Sequence, residues 1–524
     1  MILGKVSAMG ENRMAKIERA KNASRNMFFG IILKIYQILV PFFMRTAMIC
    51  LLGVQYLGLN SLFTSVLQVL NLAELGVGSA MVYSMYQPIA QDDNAAVCAL
   101  MKLYRTYYRL IGAAIALIGG TLTPFIPVLI SGEVPPDIDI YLLYWLNLGA
   151  TVLSYWMFAY KNSILQAHQR TDVISKITLI TNTFQYGLQL LILFTIKNYY
   201  VYVIVMLATQ AITNIATAIA ADKMYPQFKP VGEVREEELH RISCRIRDLF
   251  TSKIGSIIYD SADTIVISAF LGLTVLSVYQ NYFYILTAVS GMISVMFSSC
   301  TAGIGNSIVA ETKEKNYRDL KQLTFMISWI AGVCSAAMLC LYQPFMELWV
   351  GKKLMLSVSE VVCFVLYFFV RQYNSLFNLY KDASGMWHED RFRPLAAAVT
   401  NLILNLISVQ LIGIYGILLS TVLAIVCVGM PWLMHNLFSI VFDRKHLFSF
   451  VRRIGVYCSV VLMSCAVTYG ICYFIDLALI PTLIVRGLIC VMIPNLIYYI
   501  VFRKSTEFHQ LVEFVGRIAK SWKS

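Results

Sequence analysis

The chain has 524 residues, of which 58% are apolar and 14% charged, against roughly 45–50% and about 25% in soluble globular proteins. With a mean hydropathy of +0.68, this composition excludes a soluble enzyme domain and puts the chain among membrane proteins that cross the bilayer many times. The formal charge of +13 would suit nucleic acid if it were clustered, but the Lys and Arg residues fall almost entirely in alternate loops, so nucleic acid is not expected as a partner.

Apolar runs of the roughly 20 residues needed to span a bilayer recur from residue 28 to residue 503. Hydropathy predicts spans near 28–52, 57–85, 106–130, 139–160, 172–196, 199–221, 249–271, 277–303, 322–346, 357–380, 394–412, 414–436, 454–475 and 481–502. The expected fold class is therefore an all-α polytopic membrane protein of about fourteen transmembrane helices. The N-terminal tail (Lys5, Arg13, Lys16, Arg19, Lys21, Arg25), six alternate loops and the C-terminal tail hold the basic residues, whereas Lys197, Lys352 and Lys353 lie in loops of opposite side. Basic loops are retained in the cytoplasm, so both termini are expected inside, in a bacterial cytoplasmic (inner) membrane with an anionic inner leaflet. The first apolar segment is longer than a signal-peptide core and lacks a small-residue cleavage site, so it is expected to stay as a helix. The twelve cysteines, among them Cys50, Cys98, Cys244, Cys300 and Cys490, form no C-x-x-C pair. They read as small apolar packing residues, with no metal or disulfide framework expected.

Residues 222–248 form the longest polar interruption, with Pro226, Pro230 and an amphipathic run from Glu236 to Arg247. The expected organisation is a basic tail (1–27), a first six-helix bundle (28–221), a cytoplasmic linker (222–248), a second six-helix bundle (249–436), and helices 13 and 14 with the C-terminal tail (437–524). A shift of about 220 residues brings several features of the two halves into register. Leu52-Gly53 then meets Leu271-Gly272, Lys34 meets Lys253, and Thr181-Asn182 meets Thr400-Asn401. Tyr160-Lys161 with His168 likewise meets Tyr380-Lys381 with His388. Six helices per half make this a parallel repeat, a transporter arrangement in which two bundles work around a central cavity.

Ionisable residues inside the membrane are costly, so each is a candidate for function. Lys34 and Arg45 lie eleven positions apart on the first span, about 20° of helical rotation, and form one basic stripe on either side of Pro41. Snorkelling of Lys34 inward and Arg45 outward is the structural alternative. On the seventh span, Lys253, Asp260 and Asp263 share a helix, with the two carboxylates as i, i+3 neighbours. These aspartates are expected either to couple transport to a cation or to pair with a base of a neighbouring helix. Glu74, in the small-residue stretch Glu74-Leu75-Gly76-Val77-Gly78, and Arg371 are similarly deep, facing a cavity or paired as buried ions. Arg486, near the outer end of the last span, is expected to snorkel. Cations on both halves suit an anionic headgroup such as a diphosphate.

Four segments carry a family resemblance: YLGLNSLFTSVLQVLNLAELGVGSAMVYSMYQPIA from Tyr56, MKLYRTYYRLIG from Met101, YKNSILQAHQR from Tyr160 and DSADTIVISAFLG from Asp260. Over roughly residues 20–440 the chain resembles the oligosaccharide-lipid flippases, the polysaccharide-transporter branch of the multidrug/oligosaccharidyl-lipid/polysaccharide exporter superfamily. The resemblance implies two six-helix bundles around a central cavity and alternating access. It implies a lipid-linked oligosaccharide on undecaprenyl diphosphate as the substrate, flipped to the outer leaflet for capsule, O-antigen or exopolysaccharide synthesis. It also implies substrate contacts from cavity cations, here Lys34, Arg45, Lys253 and Arg371. Glu74, Asp260 and Asp263 would supply counter-charge or couple a proton or sodium gradient, with no other cofactor. Membrane lipids, a polysaccharide polymerase and glycosyltransferases are the expected partners. Helices 13 and 14 exceed the twelve-helix minimum and suggest a groove for the polyprenyl tail.

Two rival functions remain on the sequence alone. A cation-coupled multidrug exporter of the same superfamily would have the same hydropathy, but a cavity richer in acids than in bases. A membrane polysaccharide polymerase or ligase needs large outer loops, whereas the longest here, near 131–139 and 347–356, have about ten residues. The Asp137-Ile138-Asp139 spacing of some nucleotide-sugar enzymes falls in a predicted outer loop and reads as chance. His168 and His388 read as solvated residues at cytoplasmic helix ends.

Overall fold

Helices form nearly the whole chain, and glycines with positive φ mark several of the points where they break. The computed structural model describes the backbone of residues 2–521 other than 75, 133 and 476. It describes the side chains of residues 25–513 other than 27, 73, 75, 133, 248, 251–253, 256, 260, 298, 299, 302 and 476. Two compact units emerge, Met1–Ile257 with Gly272–Thr274, and Ile258–Leu271 with Val275–Ser524.

The first unit contains α1 (Ile2–Leu51), α2 (Val54–Leu70), α3 (Val77–Ala90), α4 (Asn94–Leu122), α5 (Ile140–Trp156), α6 (Asn162–Ala167), α7 (Thr171–Thr195) and α8 (Tyr199–Met224). The long α9 (Glu236–Ala310) follows and is interrupted at Gly272, whose φ of 86° no helix tolerates. Its first turns include the amphipathic run from Glu236, so half of the expected linker is helix continuous with the seventh span. The second unit continues with α10 (Lys313–Val350), α11 (Val358–Ser384), α12 (Arg393–Ile412), α13 (Ile414–Leu423), α14 (Met430–Ile440), α15 (Leu447–Tyr473), α16 (Leu479–Phe502) and α17 (Thr506–Ser521). A π-helical turn, Ala424–Gly429, joins α13 to α14. The helices of spans 13 and 14, α15 and α16, pack on α10 and on each other.

Among the described residues, ten helical segments are long and apolar enough to cross a membrane, or eleven when α5 and α6, bent by 48°, are taken as one broken span. The difference from fourteen has three local causes. The pair of spans in α9 passes as a single segment, Ile257–Phe297. The α11 helix carries Arg371, Gln372, Asn374, Asn378, Lys381 and Asp382 along one amphipathic length. The second span, expected as one helix over 57–85, is broken between α2 and α3. Side chains facing outward are large and apolar, with Leu117 at 72%, Leu411 at 76% and Leu462 at 68% exposure. A surface of this kind is stable against lipid rather than water.

The break in the second span has a clear origin. A 3₁₀ turn, Asn71–Glu74, ends the α2 direction, and Gly76 enters α3 with φ 86°. A Cβ at Gly76 would lie 2.6 Å from Leu249 Cβ, so only glycine fits both the conformation and the approach of α9.

The repeat read in the sequence is visible in the backbone joints. Gly53 (φ 123°) and Gly272 (φ 86°) follow the first helix of each half, and Gly132 (φ 83°) and Gly351 (φ 80°) follow the third. Lys161 pairs with Asp222, and its repeat mate Lys381 pairs with Asp382 at 3.1 Å. Each half also pins the start of its fifth helix with a buried aspartate. Asp172, fully buried, bonds Arg170 at 2.9 Å and Lys176 at 3.3 Å. Asp390 bonds Arg393 at 2.7 Å.

Three local expectations change. His168 is not a solvated loop residue: it packs on Tyr225 and Phe228 with ring centroids 4.1 and 5.5 Å away. Arg486, expected to reach the outer interface, is partly buried and spends its guanidinium on backbone, donating to the Ile475 carbonyl at 3.1 Å and the Cys340 carbonyl at 3.5 Å. Cys340, Cys472 and Cys490, far apart in sequence, meet in one buried cluster. The Asp137–Asp139 pair has structural roles: Asp137 accepts from the Tyr56 hydroxyl, and Asp139 caps α5.

Candidate functional site

Within the first unit, the turn that breaks the second span points Glu74 into a cavity of about 760 Å³. The site is built from tyrosines on two other helices. Tyr108 donates to Glu74 Oε1 at 2.5 Å and Tyr155 donates to Oε2 at 2.6 Å, while Tyr104 donates to the Tyr108 hydroxyl at 2.7 Å. Tyr104 and Tyr108 stand one turn apart on α4 and so present both hydroxyls to the same side. Gly78 leaves the room that Tyr104 needs, since a Cβ there would sit 3.0 Å from its hydroxyl. Amides and hydroxyls complete the lining, including Gln68, Asn71, Asn147, Thr151, Gln166, Gln210 and Asn214. Among the described residues no lysine, arginine or histidine lines this cavity. A carboxylate accepting two phenolic hydrogen bonds, amid amide and hydroxyl side chains, is suited to reading hydroxyl groups or to holding a proton or an organic cation.

Within the second unit, Asp263 is buried at 6% exposure. Its Oδ1 accepts from Asn405 Nδ2 at 2.7 Å and its Oδ2 from the Thr421 hydroxyl at 3.0 Å. Asn401 donates to Thr421 Oγ1 at 2.9 Å, and Asn405 donates to Asn401 Oδ1 at 3.2 Å. The Asn405 Oδ1 is buried with no donor, an uncommon state for a buried polar atom. Asp263, Asn401, Asn405 and Thr421 thus gather oxygen atoms from α9, α12 and α13, and the π-helical turn begins three residues after Thr421. Such turns often mark functional positions in helices. Arg371 donates to the Tyr367 hydroxyl at 2.8 Å, and both Arg371 and Asp263 lie within electrostatic reach of Tyr279.

A second hollow in this unit is almost purely apolar. It measures about 450 Å³ and lies between α11, α14 and α15, lined by Phe369, Phe377, Met430, Met434, Val451 and Ile454 among others.

The sequence-selected residues divide as follows. Glu74 faces the polar cavity and Asp263 sits in the oxygen cluster. Arg371 shares the Tyr279 neighbourhood with Asp263. Arg45 lies near Tyr202, and Lys34 is exposed on α1. The side chains of Lys253 and Asp260 lie outside the described residues. Sequence reasoning did not single out Tyr104, Tyr108, Tyr155, Asn405 or Thr421; the i, i+4 spacing of Tyr104 with Tyr108 and of Asn401 with Asn405 was the available signal.

Comparison with solved structures bears on this arrangement. The lipid II flippase MurJ in an inward closed conformation superposes with a TM-score of 0.66 at 14% identity, covering 91% of this chain and 99% of its own. This chain shares the fold of that flippase. A multidrug-resistance MATE family transporter of the MOP superfamily, inward-facing, gives a TM-score of 0.59 at 13% identity over 80% of this chain and 99% of that one. The Vibrio cholerae MATE transporter VcmN gives 0.54 at 13% identity over 80% and 98%. No protein-family model matches the sequence, and no curated protein matches it. Each of these neighbours is named as a flippase or transporter. The likeness to MurJ extends over more of this chain than the MATE likenesses do, by about the length of two membrane spans.

Proposed function

We propose that this chain is a transporter of the bacterial inner membrane that flips a polyprenyl-diphosphate-linked oligosaccharide from the cytoplasmic to the outer leaflet by alternating access. The observation that carries the reading is the cavity of about 760 Å³ in the first unit, lined by amides and hydroxyls around Glu74. The sugars of the substrate would occupy the polar cavity, where Glu74 and the surrounding amides accept and donate hydrogen bonds. The isoprenoid tail of the substrate would stay in the bilayer, where apolar surface is favourable. The diphosphate would be met by Arg45, Lys34 and Arg371, whose charge-assisted hydrogen bonds suit phosphate oxygens. The lipid-linked substrate named for MurJ is of the same amphiphilic type.

Cation coupling is assigned to Asp263. A buried carboxylate with the Asn401, Asn405 and Thr421 oxygens beside it, one of them undonated, has the donor chemistry of a hard cation such as sodium, or of a proton. Glycosyltransferases would supply the substrate, and a polysaccharide polymerase would consume it.

A second reading, a multidrug exporter coupled to a cation, is favoured by one feature. Glu74 stands in a cavity with no base in its described lining, which suits a cationic drug. The deciding experiment is analysis of cells lacking the protein, with the orientation of lipid-linked sugars measured in inverted vesicles. Accumulation of a complete repeat unit on the cytoplasmic leaflet supports the flippase. Unpolymerised units on the outer leaflet point to a polymerase, and unchanged lipid-linked sugar with raised drug sensitivity points to the exporter. Full transport by a Lys34→Ala, Arg45→Ala, Arg371→Ala triple variant would remove the diphosphate assignment.

A further inference from the structure

Cys340 of α10, Cys472 of α15 and Cys490 of α16 bring their Sγ atoms within 4.8 Å of one another. Each is only 1% exposed, and all three belong to the second unit. Ala337, Leu341, Tyr469 and Ile489 pack around them. Packing of small apolar side chains accounts for the burial, but not for the charge beside it. Arg486, one turn from Cys490 on α16, directs its guanidinium to the carbonyls of Cys340 and Ile475, and its buried Nε has no partner among the described residues. Among the described residues it has no ion pair with a carboxylate. A guanidinium beside these sulfurs favours their thiolate form.

We propose that Cys340, Cys472 and Cys490 form a three-sulfur site for a soft monovalent cation, copper(I), with Arg486 as its counter-charge. Thiolates select soft cations. A cation bound to three sulfurs at about 2.3 Å holds them about 4 Å apart, within the separation found here. Zinc at a closed site takes four ligands, and none of the four packing residues offers a sulfur, imidazole or carboxylate. Three thiolates around a monovalent cation leave two negative charges, of which Arg486 offsets one. Loading the site releases three protons to solvent. Cys472 is the penultimate residue of α15, so the ion reaches the cluster from a helix end. Its effect is to fasten α15 and α16 to α10.

The test is titration of the purified, reduced full-length protein with copper(I) in the presence of a competing chromogenic chelator. The expected result is one tightly held equivalent with three sulfur neighbours by X-ray absorption. Cys340→Ala and Cys490→Ala variants lose it, whereas Cys50→Ala and Cys427→Ala, at exposed positions, keep it. Wild-type protein that gives up all its copper, or a variant lacking all three thiols that retains the equivalent, overturns the proposal. So does preferential retention of zinc, or a disulfide between two of the three cysteines in protein purified without reductant. Should the cysteine variants fail to fold, Arg486→Gln serves in their place. It is expected to hold copper about tenfold more weakly, equivalent to about 1.4 kcal/mol, and unchanged affinity would remove Arg486 from the site.

Discussion

Tyr108 and Tyr155 divide the Glu74 carboxylate between them, one hydroxyl donating to each oxygen, at 2.5 and 2.6 Å. Both oxygens therefore act as acceptors. Glu74→Gln would turn a donating amide toward one of these hydroxyls and forfeit a charge-assisted bond, a loss of about 1.5–3 kcal/mol. Transport in the vesicle assay is expected to fall at least about tenfold for a loss of that size. Tyr108→Phe should have a smaller effect, since Tyr155 still holds the other oxygen. Wild-type rates in Glu74→Gln would show that the cavity is bystander space.

Asp263 gives a test that needs no substrate. If it binds sodium, the purified protein unfolds at higher temperature in sodium than in N-methylglucamine, because a ligand at 100 times its Kd stabilises by about 2.7 kcal/mol. Asp263→Asn should abolish the difference, and Thr421→Val should shrink it. A dependence on pH instead of sodium would identify the proton as the coupled cation. The same response in wild type and Asp263→Asn would discard the residue as a coupling site.

Gly76→Ala is expected to destabilise the first unit. The φ of 86° alone costs a residue with a side chain about 1–3 kcal/mol, and its Cβ would also meet Leu249 Cβ at 2.6 Å. A drop in the unfolding temperature checks this. Gly149→Ala, with open space around its Cβ, is the matched control and should be near neutral.

Burial against Tyr225 and Phe228 lowers the His168 pKa below its ordinary 6.5, with the hydrogen bond to the Ile164 carbonyl opposing in part. Because the folded value is the lower one, the unfolded chain takes up the proton first as pH falls. The contribution is complete above pH 6.5 and is lost as pH falls through the folded value. His168→Gln should therefore flatten the pH dependence of thermal stability below pH 6.5 relative to wild type. Parallel curves for the two proteins would contradict the burial argument.

The all-α membrane fold was legible because hydropathy reports it directly, and the Gly53/Gly272 match came with the sequence offset; the number of spans was over-read, because the breaks in the second and fourth spans and the polar length of α11 leave fewer membrane-length helices than fourteen. The break at Gly76 was hidden, since Asn71 to Gly78 is apolar enough to read as uninterrupted helix. The partners of Glu74 were hidden for another reason: Tyr108 and Tyr155 reach it across the tertiary fold from sites that no local pattern connects. The same applies to Cys340, Cys472 and Cys490, which looked scattered because only the packing of α10, α15 and α16 joins them. His168 was misread because its burial comes from Tyr225 and Phe228, which follow it by a whole span. Sequence periodicity reports which side of a helix is apolar, not which distant ring or thiol will cover it.

The paired glycine joints carry a historical consequence. Gly53 with Gly272 and Gly132 with Gly351 keep the same left-handed backbone at matching places, yet the repeat mate of Glu74 is Ile293 and that of Asp263 is Met44. A gene that doubled and then drifted would leave this kind of record, with the skeleton inherited twice and the chemistry divided between the heirs. Neither copy retains a full set of working groups, so a tandem of two first halves or two second halves would be a protein with intact architecture and half a trade.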